Sequence, residues 1–136
     1  MQGPADSQSG RGPSSPHIVL GKQAEDLAAS HLEARGYLVI ERNFRCRYGE
    51  IDLVARHGDT IVFVEVRARR SARQGEPFET VGPRKQQRLS RLAEVWLARH
   101  GLSRVACRFD VVSVLLPEGQ DPRVEVIVNA FEAWGI

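Results

Sequence analysis

The sequence predicts an α/β fold, a mixed central β-sheet flanked by helices, with the element order α-β-β-β-α-β-β. Two stretches carry apolar residues at helical spacing, and five short runs are rich in the β-branched and aromatic residues typical of strands. The length of 136 residues favours one domain with its own core. We expect that domain over residues 18–136, after a disordered tail over residues 1–17 that is rich in Gly, Ser, Pro and Gln.

The first half of the domain is predicted from apolar spacing and turn residues. Apolar residues at helical spacing predict a helix over residues 21–35, which Gly36 ends. A strand with a polar bend follows over residues 37–47. Gly58 and Asp59 suit the two-residue turn of a hairpin, because glycine readily takes the first central position. The hairpin strands are therefore predicted over residues 49–57 and 60–70.

The second half begins with a loop over residues 70–83, which is basic and punctuated by Gly and Pro. Pro83 suits the first turn of a helix, and the apolar spacing predicts that helix over residues 83–100. Two further strands are predicted over residues 106–116 and 123–129, and the terminal "AFEAWGI" is expected to pack onto the core.

The composition narrows the classes of function. The formal net charge is only +2, yet residues 67–91 contain eight basic residues and two acids, a local net charge of +6. Such a block could bind phosphates, or it could be a solvated face in an arginine-rich chain. Two cysteines are too few for a disulfide scaffold or a zinc site. No apolar stretch has the length of a membrane span or of a signal peptide, so we expect a cytoplasmic protein with no membrane partner.

Two acids, Asp52 and Glu65, interrupt the apolar runs of the hairpin, where an unpaired carboxylate is costly. If His57 pairs with Thr60, Asp52 falls directly opposite Glu65, with both side chains on one face of the sheet. Opposed like charges repel, and a shared proton, a basic neighbour or a hard divalent cation such as magnesium would relieve that repulsion. The alternative is that both acids face solvent and are neutralised by arginines such as Arg67.

Longer stretches resemble a known family. The sequence "GKQAEDLAASHLEARGYLVIERNFRCRYGEIDLVARHGDTIVFVEVRAR", together with "RKQQRLSRLAEVWLA", "RFDVVSV" and "VNAF", is similar to the YraN-type family of small bacterial proteins. That family resembles the restriction-endonuclease-like fold, which Holliday-junction resolvases also use. Nucleases of this fold carry an acid on one strand and a Glu-x-Lys motif on the next. The resemblance implies a metal-dependent, structure-selective DNA endonuclease that uses magnesium or manganese.

The resemblance also implies roles for individual residues. Asp52 and Glu65 match the metal-binding acids, and the backbone carbonyl of Val66 could add a ligand. Glu25, in the first helix, matches an acid that related nucleases place near the metal. Glu50 is a weaker candidate on the same strand as Asp52.

One position departs from the nuclease pattern, because Arg67 stands where the pattern has lysine. Arginine grips phosphate oxygens in two places, but it stays protonated and cannot accept a proton. Lys85 or Lys22 could supply a displaced amine. The departure leaves an alternative open, a catalytically weakened nuclease-fold protein that binds DNA or docks a partner.

The expected partner is DNA, in a branched or flapped form, because phosphate contacts carry no sequence information. Tyr48 could stack a base beside its basic neighbours, or it could close the edge of the core. An exposed edge strand would also allow a homodimer. The residues expected to bind the DNA backbone are basic and surround the two acids in sequence: Arg45, Arg47, Arg69, Arg70, Arg73, Arg84, Lys85 and Arg88.

Overall fold

A computed structural model describes residues 16–71 and 81–132. The element order is α-β-β-β-α-β-β, as predicted. The helices and strands are α1 (Pro16–Ala34), β1 (Leu38–Cys46), β2 (Gly49–His57), β3 (Thr60–Arg69), α2 (Pro83–Arg99), β4 (Cys107–Leu115) and β5 (Arg123–Phe131).

The five strands form one mixed sheet in the order β1-β2-β3-β4-β5. β1, β2 and β3 pair antiparallel, β3 and β4 pair parallel, and β4 and β5 pair antiparallel. The chain crosses from β3 to β4 through α2, since parallel neighbours need a long connection. The predicted mixed α/β sheet is therefore confirmed, with one crossover helix between its two parallel strands.

The two helices cover opposite faces of the sheet. On β3, Ile61 and Phe63 belong to the core cluster that contains Leu92 and Trp96 of α2. The alternate residues of the same strand pack into the cluster that contains α1, as the period of two in a strand requires. We call these two sides the α2 face and the α1 face. Each face has its own apolar core, and the strands carry side chains to both.

Some boundaries differ from the prediction. α1 begins at Pro16, before the predicted start at residue 21, because proline is compatible with the first turn of a helix. Residues 1–15 of the predicted tail and residues 133–136 of the predicted terminal segment lie outside the described residues. Neither described helix is long and apolar enough to cross a membrane.

Candidate active site

The hairpin of β2 and β3 has the predicted register near its turn. His57 pairs with Thr60, and the ladder continues regularly to Leu53 and Val64. Gly58 has a φ of 63°, in the left-handed region that favours glycine. The two-residue turn is therefore confirmed, and it fixes which residues of the two strands meet.

Beyond Leu53 and Val64, β2 and β3 no longer form the ladder. The backbone N–H of Val66 donates to Asp52 Oδ2 at 2.7 Å, so a side chain replaces a main-chain acceptor. Odd-numbered residues of β3 direct their backbone groups towards β4 instead: Ile61 N donates to Ala106 O, and Leu116 N donates to Arg69 O. The even-numbered Val66 therefore directs both its N–H and its carbonyl towards β2 and Asp52.

The prediction that Asp52 and Glu65 leave the same face of the sheet is wrong. Ile51 and Val54 both pack on the α2 face, whereas Leu53 packs on the α1 face, so the alternation of β2 slips by one residue at Asp52. Asp52 lines a cleft with residues of α1, whereas Glu65 lies on the α2 face. The register predicted from the turn is correct near the turn, but the irregularity at Asp52 places its side chain on the α1 face instead of the α2 face.

β1 has an irregularity at the same level. Asn43 lies between Arg42 and Phe44, whose partners on β2 are Leu53 and Ile51, so it stands opposite Asp52. Its φ of 56° is left-handed, a conformation that asparagine tolerates better than most residues. The Nδ2 of Asn43 donates to Glu25 Oε1 at 2.9 Å, which ties β1 to α1 beside the cleft.

The cleft beside Asp52 has a volume of about 200 Å³. It brings together three acids that the sequence analysis named as candidate site residues, Glu25 of α1 and Glu50 and Asp52 of β2. Glu50 Oε2 accepts from Arg45 Nε at 3.2 Å, so one acid of the cleft is neutralised by an arginine. Lys22, weighed above as a displaced amine, also lines the cleft, but its amine is paired with Asp26 at 3.4 Å. The remaining lining residues are small, apolar or an amide: Gly21, Ala24, Asn43, Val66 and Ala68.

Asp52 has a strongly perturbed pKa. Burial raises the pKa of its carboxyl group from 3.8 to about 7, with a smaller contribution from the nearby charges of Glu65, Glu50 and Glu25 and against the hydrogen bond from Val66. Glu25 and Glu50 line the cleft, whereas Glu65 influences the pKa of Asp52 from the opposite face of the sheet. Asp52 is therefore a half-buried acid that lies among other acids, and about half of it is protonated near neutral pH.

On the α2 face, Glu65 forms an ion pair with Lys85 of α2. The Glu65 side chain is only 11% exposed, and that of Lys85 is 37% exposed. Arg67, two residues after Glu65 on the same strand, is directed to the same face. The one lysine of α2 thus lies next to the acid of the Glu-x-Arg motif.

The donors around the split between β2 and β3 are oxygen atoms, which suits magnesium or manganese rather than a softer metal. Within the described residues, no group of three His, Cys, Asp or Glu side chains is arranged to hold a metal ion. A cation here would need the backbone carbonyl of Val66 and water besides Asp52 and Glu65. Magnesium sites commonly use one or two carboxylates and several waters, so the chemistry of these donors suits such an ion, with Asp52 and Glu65 approaching it from opposite faces of the sheet.

The predicted DNA-binding residues fall into different surroundings. Arg45 is paired with Glu50, and Lys85 is paired with Glu65. Arg47 and Arg88 lie together beside Tyr48 and Gly49. Of the others, Arg69 and Arg70 lie at the end of β3, Arg84 is exposed in the first turn of α2, and Arg73 is outside the described residues.

Two residues at the site were missed by sequence reasoning. Asn43 orients Glu25, and the signal that could have indicated it is an asparagine at the polar bend of β1. Arg91 lies over the Tyr48 ring, six residues after Lys85 on the helix, and only the packing of α2 against the β1–β2 turn reveals it.

The chain is similar in shape to a solved structure. It is that of SfsA from Pyrococcus furiosus in complex with Ca²⁺, with a TM-score of 0.37 and 16% sequence identity. The match covers 82% of this chain and 62% of that chain.

Sequence comparisons identify much closer relatives. A UPF0102 protein of Geobacter sulfurreducens is 51% identical over 114 residues, which cover 84% of this chain and 89% of the relative. A UPF0102 protein of Syntrophus aciditrophicus is 52% identical over 121 residues, which cover 88% and 94%. Residues 24–114 match the family described as Uncharacterised protein family UPF0102. The chain therefore belongs to the UPF0102 family, the YraN-type family that its motifs resemble.

Proposed function

We propose that this UPF0102 protein is a metal-dependent endonuclease that hydrolyses phosphodiester bonds in branched or flapped DNA. The observation that carries the proposal is the setting of Asp52. Its carboxylate stands in the split between β2 and β3, accepts a hydrogen bond from Val66 N, and has Glu25, Glu50 and Glu65 close enough to raise its pKa. A carboxylate in such a setting is poorly satisfied by protein groups, and a divalent cation would relieve it.

In this proposal, Asp52 and Glu65 hold the magnesium or manganese ion from the two sides of the split, and the Val66 carbonyl is a third oxygen ligand. Glu25, held by Asn43, lies in the outer part of the site. When bound, such an ion lowers the pKa of a coordinated water and stabilises the charge that develops on the phosphate.

The basic residues on the α2 face take two different roles. Arg67 holds the scissile phosphate, because its planar guanidinium is always charged and binds two oxygens at once. Lys85, paired with Glu65, supplies the amine that the Glu-x-Arg motif lacks. A lysine amine beside Glu65 can position the attacking water as the lysine of the nuclease motif does, so the departure at Arg67 need not abolish the chemistry.

The test is cleavage of fluorescently labelled DNA in the presence of magnesium or manganese, with flapped, branched, duplex and single-stranded substrates. We expect cleavage of the flapped or branched DNA, and we expect Asp52→Asn and Glu65→Gln each to lower the rate by roughly 100-fold or more. Glu25→Gln should also slow the reaction, whereas the neighbouring exposed acid variant Asp26→Asn should not.

The roles of the two basic residues are separable by the same assay. Lys85→Ala should abolish cleavage, and Arg67→Lys in that background should restore part of it, because lysine then returns to the position that the nuclease motif uses. If no DNA is cut with either metal, the endonuclease proposal is wrong.

A second candidate function is a nuclease-fold protein that binds DNA, or docks a partner, without cutting. The ion pair between Glu65 and Lys85 favours it, because this pair already neutralises one of the two candidate metal ligands. In that case Asp52→Ala would leave the affinity for DNA unchanged or raise it, since it removes an acid near phosphate. Magnesium would then bind no better to the unaltered protein than to the variant, as measured by calorimetry.

A further inference from the structure

Two arginines lie over one tyrosine at the turn between β1 and β2, and a third arginine lies beside the next residue. The guanidinium of Arg47 lies 5.0 Å from the centre of the Tyr48 ring, and that of Arg91 lies 5.6 Å from it. Arg47 Nη2 also donates to Tyr48 Oη at 2.8 Å. The side chain of Arg88 runs past the next residue, Gly49. We call Arg47, Tyr48, Arg88 and Arg91 the Tyr48 cluster.

The local sequence makes this cluster rigid. Arg47 and Tyr48 form the tight turn between β1 and β2, because Cys46 pairs with Gly49 across it. Gly49 has a φ of 131°, which L side chains rarely adopt, and Arg88 Cδ lies 3.5 Å from where a Cβ would stand. The Tyr48 ring packs partly against the core of the α2 face. The turn, the core and the helix therefore hold Tyr48 and its arginines in one place.

The positive charge of the cluster is not neutralised by neighbouring acids. Over the described residues, Arg47, Arg88 and Arg91 form no ion pair with Asp or Glu, whereas nearby Arg45 is paired with Glu50. The hydrogen bond from Arg47, with the positive charge of Arg91, lowers the pKa of the Tyr48 phenol. Two exposed guanidiniums at the Tyr48 ring and a third exposed arginine beside Gly49 form a compact site for an anion, and guanidiniums bind phosphate well through pairs of hydrogen bonds.

The cluster is joined to the candidate active site by α2. Lys85, Arg88 and Arg91 are spaced three residues apart, so they follow one side of the helix. At 1.5 Å of rise per residue, the row spans about 9 Å along the helix axis. It begins at Lys85, which is paired with Glu65, and ends at Tyr48. Phosphates of one DNA strand advance by roughly 3.4 Å per nucleotide along a duplex, so the row corresponds to two or three nucleotides.

We propose that the Tyr48 cluster binds the phosphate backbone of a single-stranded DNA segment, two or three nucleotides from the phosphodiester at Glu65 and Lys85. The inference rests on the proposed function for the position of that phosphodiester. A narrow row of cations that ends at an aromatic ring is typical of sites for single strands, where the backbone follows the charges and a base can stack on the ring. The cluster would therefore hold the unpaired arm of a flapped or branched substrate.

The test measures binding without cleavage. The full chain, in EDTA and at low salt, is titrated into fluorescently labelled single-stranded, flapped and blunt duplex DNA, and the anisotropy gives the affinity. The variant Arg47→Gln/Arg91→Gln should bind single-stranded and flapped DNA roughly tenfold or more weakly, and the slope of log affinity against log salt should fall by about 1.4. Its affinity for blunt duplex should change by less than about threefold.

Two further variants make the result specific. Arg35→Gln/Arg123→Gln removes the same charge from exposed positions just after α1 and on β5, so it should keep the affinity of the unaltered chain. Tyr48→Phe keeps the ring but removes the hydroxyl that orients Arg47, so it should weaken single-strand binding by less than the double variant does. Equal affinities of the cluster and control variants would overturn the proposal, and so would an equal loss for duplex and single-stranded DNA.

The binding assay also separates this inference from the proposed function. If the protein cuts no DNA but the cluster variant loses single-strand affinity selectively, the endonuclease proposal is wrong and the strand-binding site stands. If the protein cuts flapped DNA and the cluster variant both binds and cuts like the unaltered chain, the endonuclease proposal stands and the strand-binding site is wrong.

Discussion

Two aspartates of the sheet, Asp110 on β4 and Asp52 on β2, are both partly or fully removed from water but have opposite surroundings. The Asp110 side chain is fully buried and accepts from the Tyr37 hydroxyl at 2.8 Å, from Arg108 Nε at 3.0 Å and from Asn129 N at 2.9 Å. Asp52 accepts a hydrogen bond from Val66 N and is otherwise approached by acids. Burial with complete pairing is typical of a structural group, whereas burial among like charges is typical of a functional site.

The pairing of Asp110 extends into a wider network. Arg108 Nη2 donates to Tyr37 Oη at 3.0 Å and to His57 Nδ1 at 3.1 Å, and the rings of Tyr37 and His57 are stacked 4.2 Å apart. Burial, assisted by the hydrogen bond to Asp110, raises the pKa of the Tyr37 phenol, so the hydroxyl remains a donor to the carboxylate. This network joins the start of β1, the turn of the hairpin and the two last strands. Its role is to hold the sheet together.

The largest effect should come from breaking that network. Asp110→Asn leaves the charge of Arg108 without its buried partner, and we expect a loss of about 3–5 kcal/mol in the free energy of unfolding. Chemical denaturation followed by circular dichroism measures it. Asp121→Asn, an exposed acid between β4 and β5, should change stability by less than about 0.5 kcal/mol. A loss at Asp110 as small as the control would show that the network is not structural.

The second effect should have the opposite sign and should depend on pH. Because the pKa of Asp52 is about 7 in the folded chain against 3.8 ordinarily, the folded state retains a proton that the unfolded state releases over this range. The stabilisation from that proton is complete below about pH 4 and is lost as the pH rises through 7. Asp52→Asn avoids the cost of a buried, ionised carboxylate, so at pH 8 we expect the variant to be more stable than the unaltered chain by roughly 2–4 kcal/mol.

Denaturation at pH 5 and at pH 8 checks this sign. The advantage of Asp52→Asn should shrink towards pH 5, and Asp26→Asn, an exposed acid on α1, should show no gain at pH 8. A variant at Asp52 that is less stable at pH 8 would mean that the carboxylate is satisfied by the protein, like that of Asp110.

Sequence reasoning could predict the hairpin that carries Asp52, but not the surroundings of Asp52 or of Asp110. Gly58 and Asp59 predicted the hairpin register because turn geometry is local, and the acids stood out because they interrupt apolar runs. Asp52 lies on the opposite face from the predicted one because its side chain accepts a hydrogen bond from the backbone N–H of Val66. The pattern of apolar residues carries no information about such a bond. Asp110 gave no signal either, because two of its donors, Tyr37 before β1 and Asn129 on β5, are brought to it only by the fold.

The smallest expected effect is the stabilisation of the folded chain by magnesium, which tests whether Asp52 binds a metal ion. If Asp52 is destabilised by its acidic neighbours, a divalent cation should return part of that stability, because it binds the ionised carboxylate of the folded state. With a dissociation constant of about 1 mM, 10 mM magnesium should add about 1.4 kcal/mol to the free energy of unfolding. The gain should be larger at pH 8 than at pH 6, since magnesium competes with the proton on Asp52.

Thermal or chemical denaturation with and without magnesium, at matched ionic strength, measures this gain. It should vanish in Asp52→Asn and persist in Asp121→Asn, whose exposed carboxylate has no part in the split between β2 and β3. A gain that survives in Asp52→Asn would place the cation elsewhere on the protein. In that event the destabilised carboxylate of Asp52 would remain real, but the reason for its retention in this sheet would no longer be a metal ion.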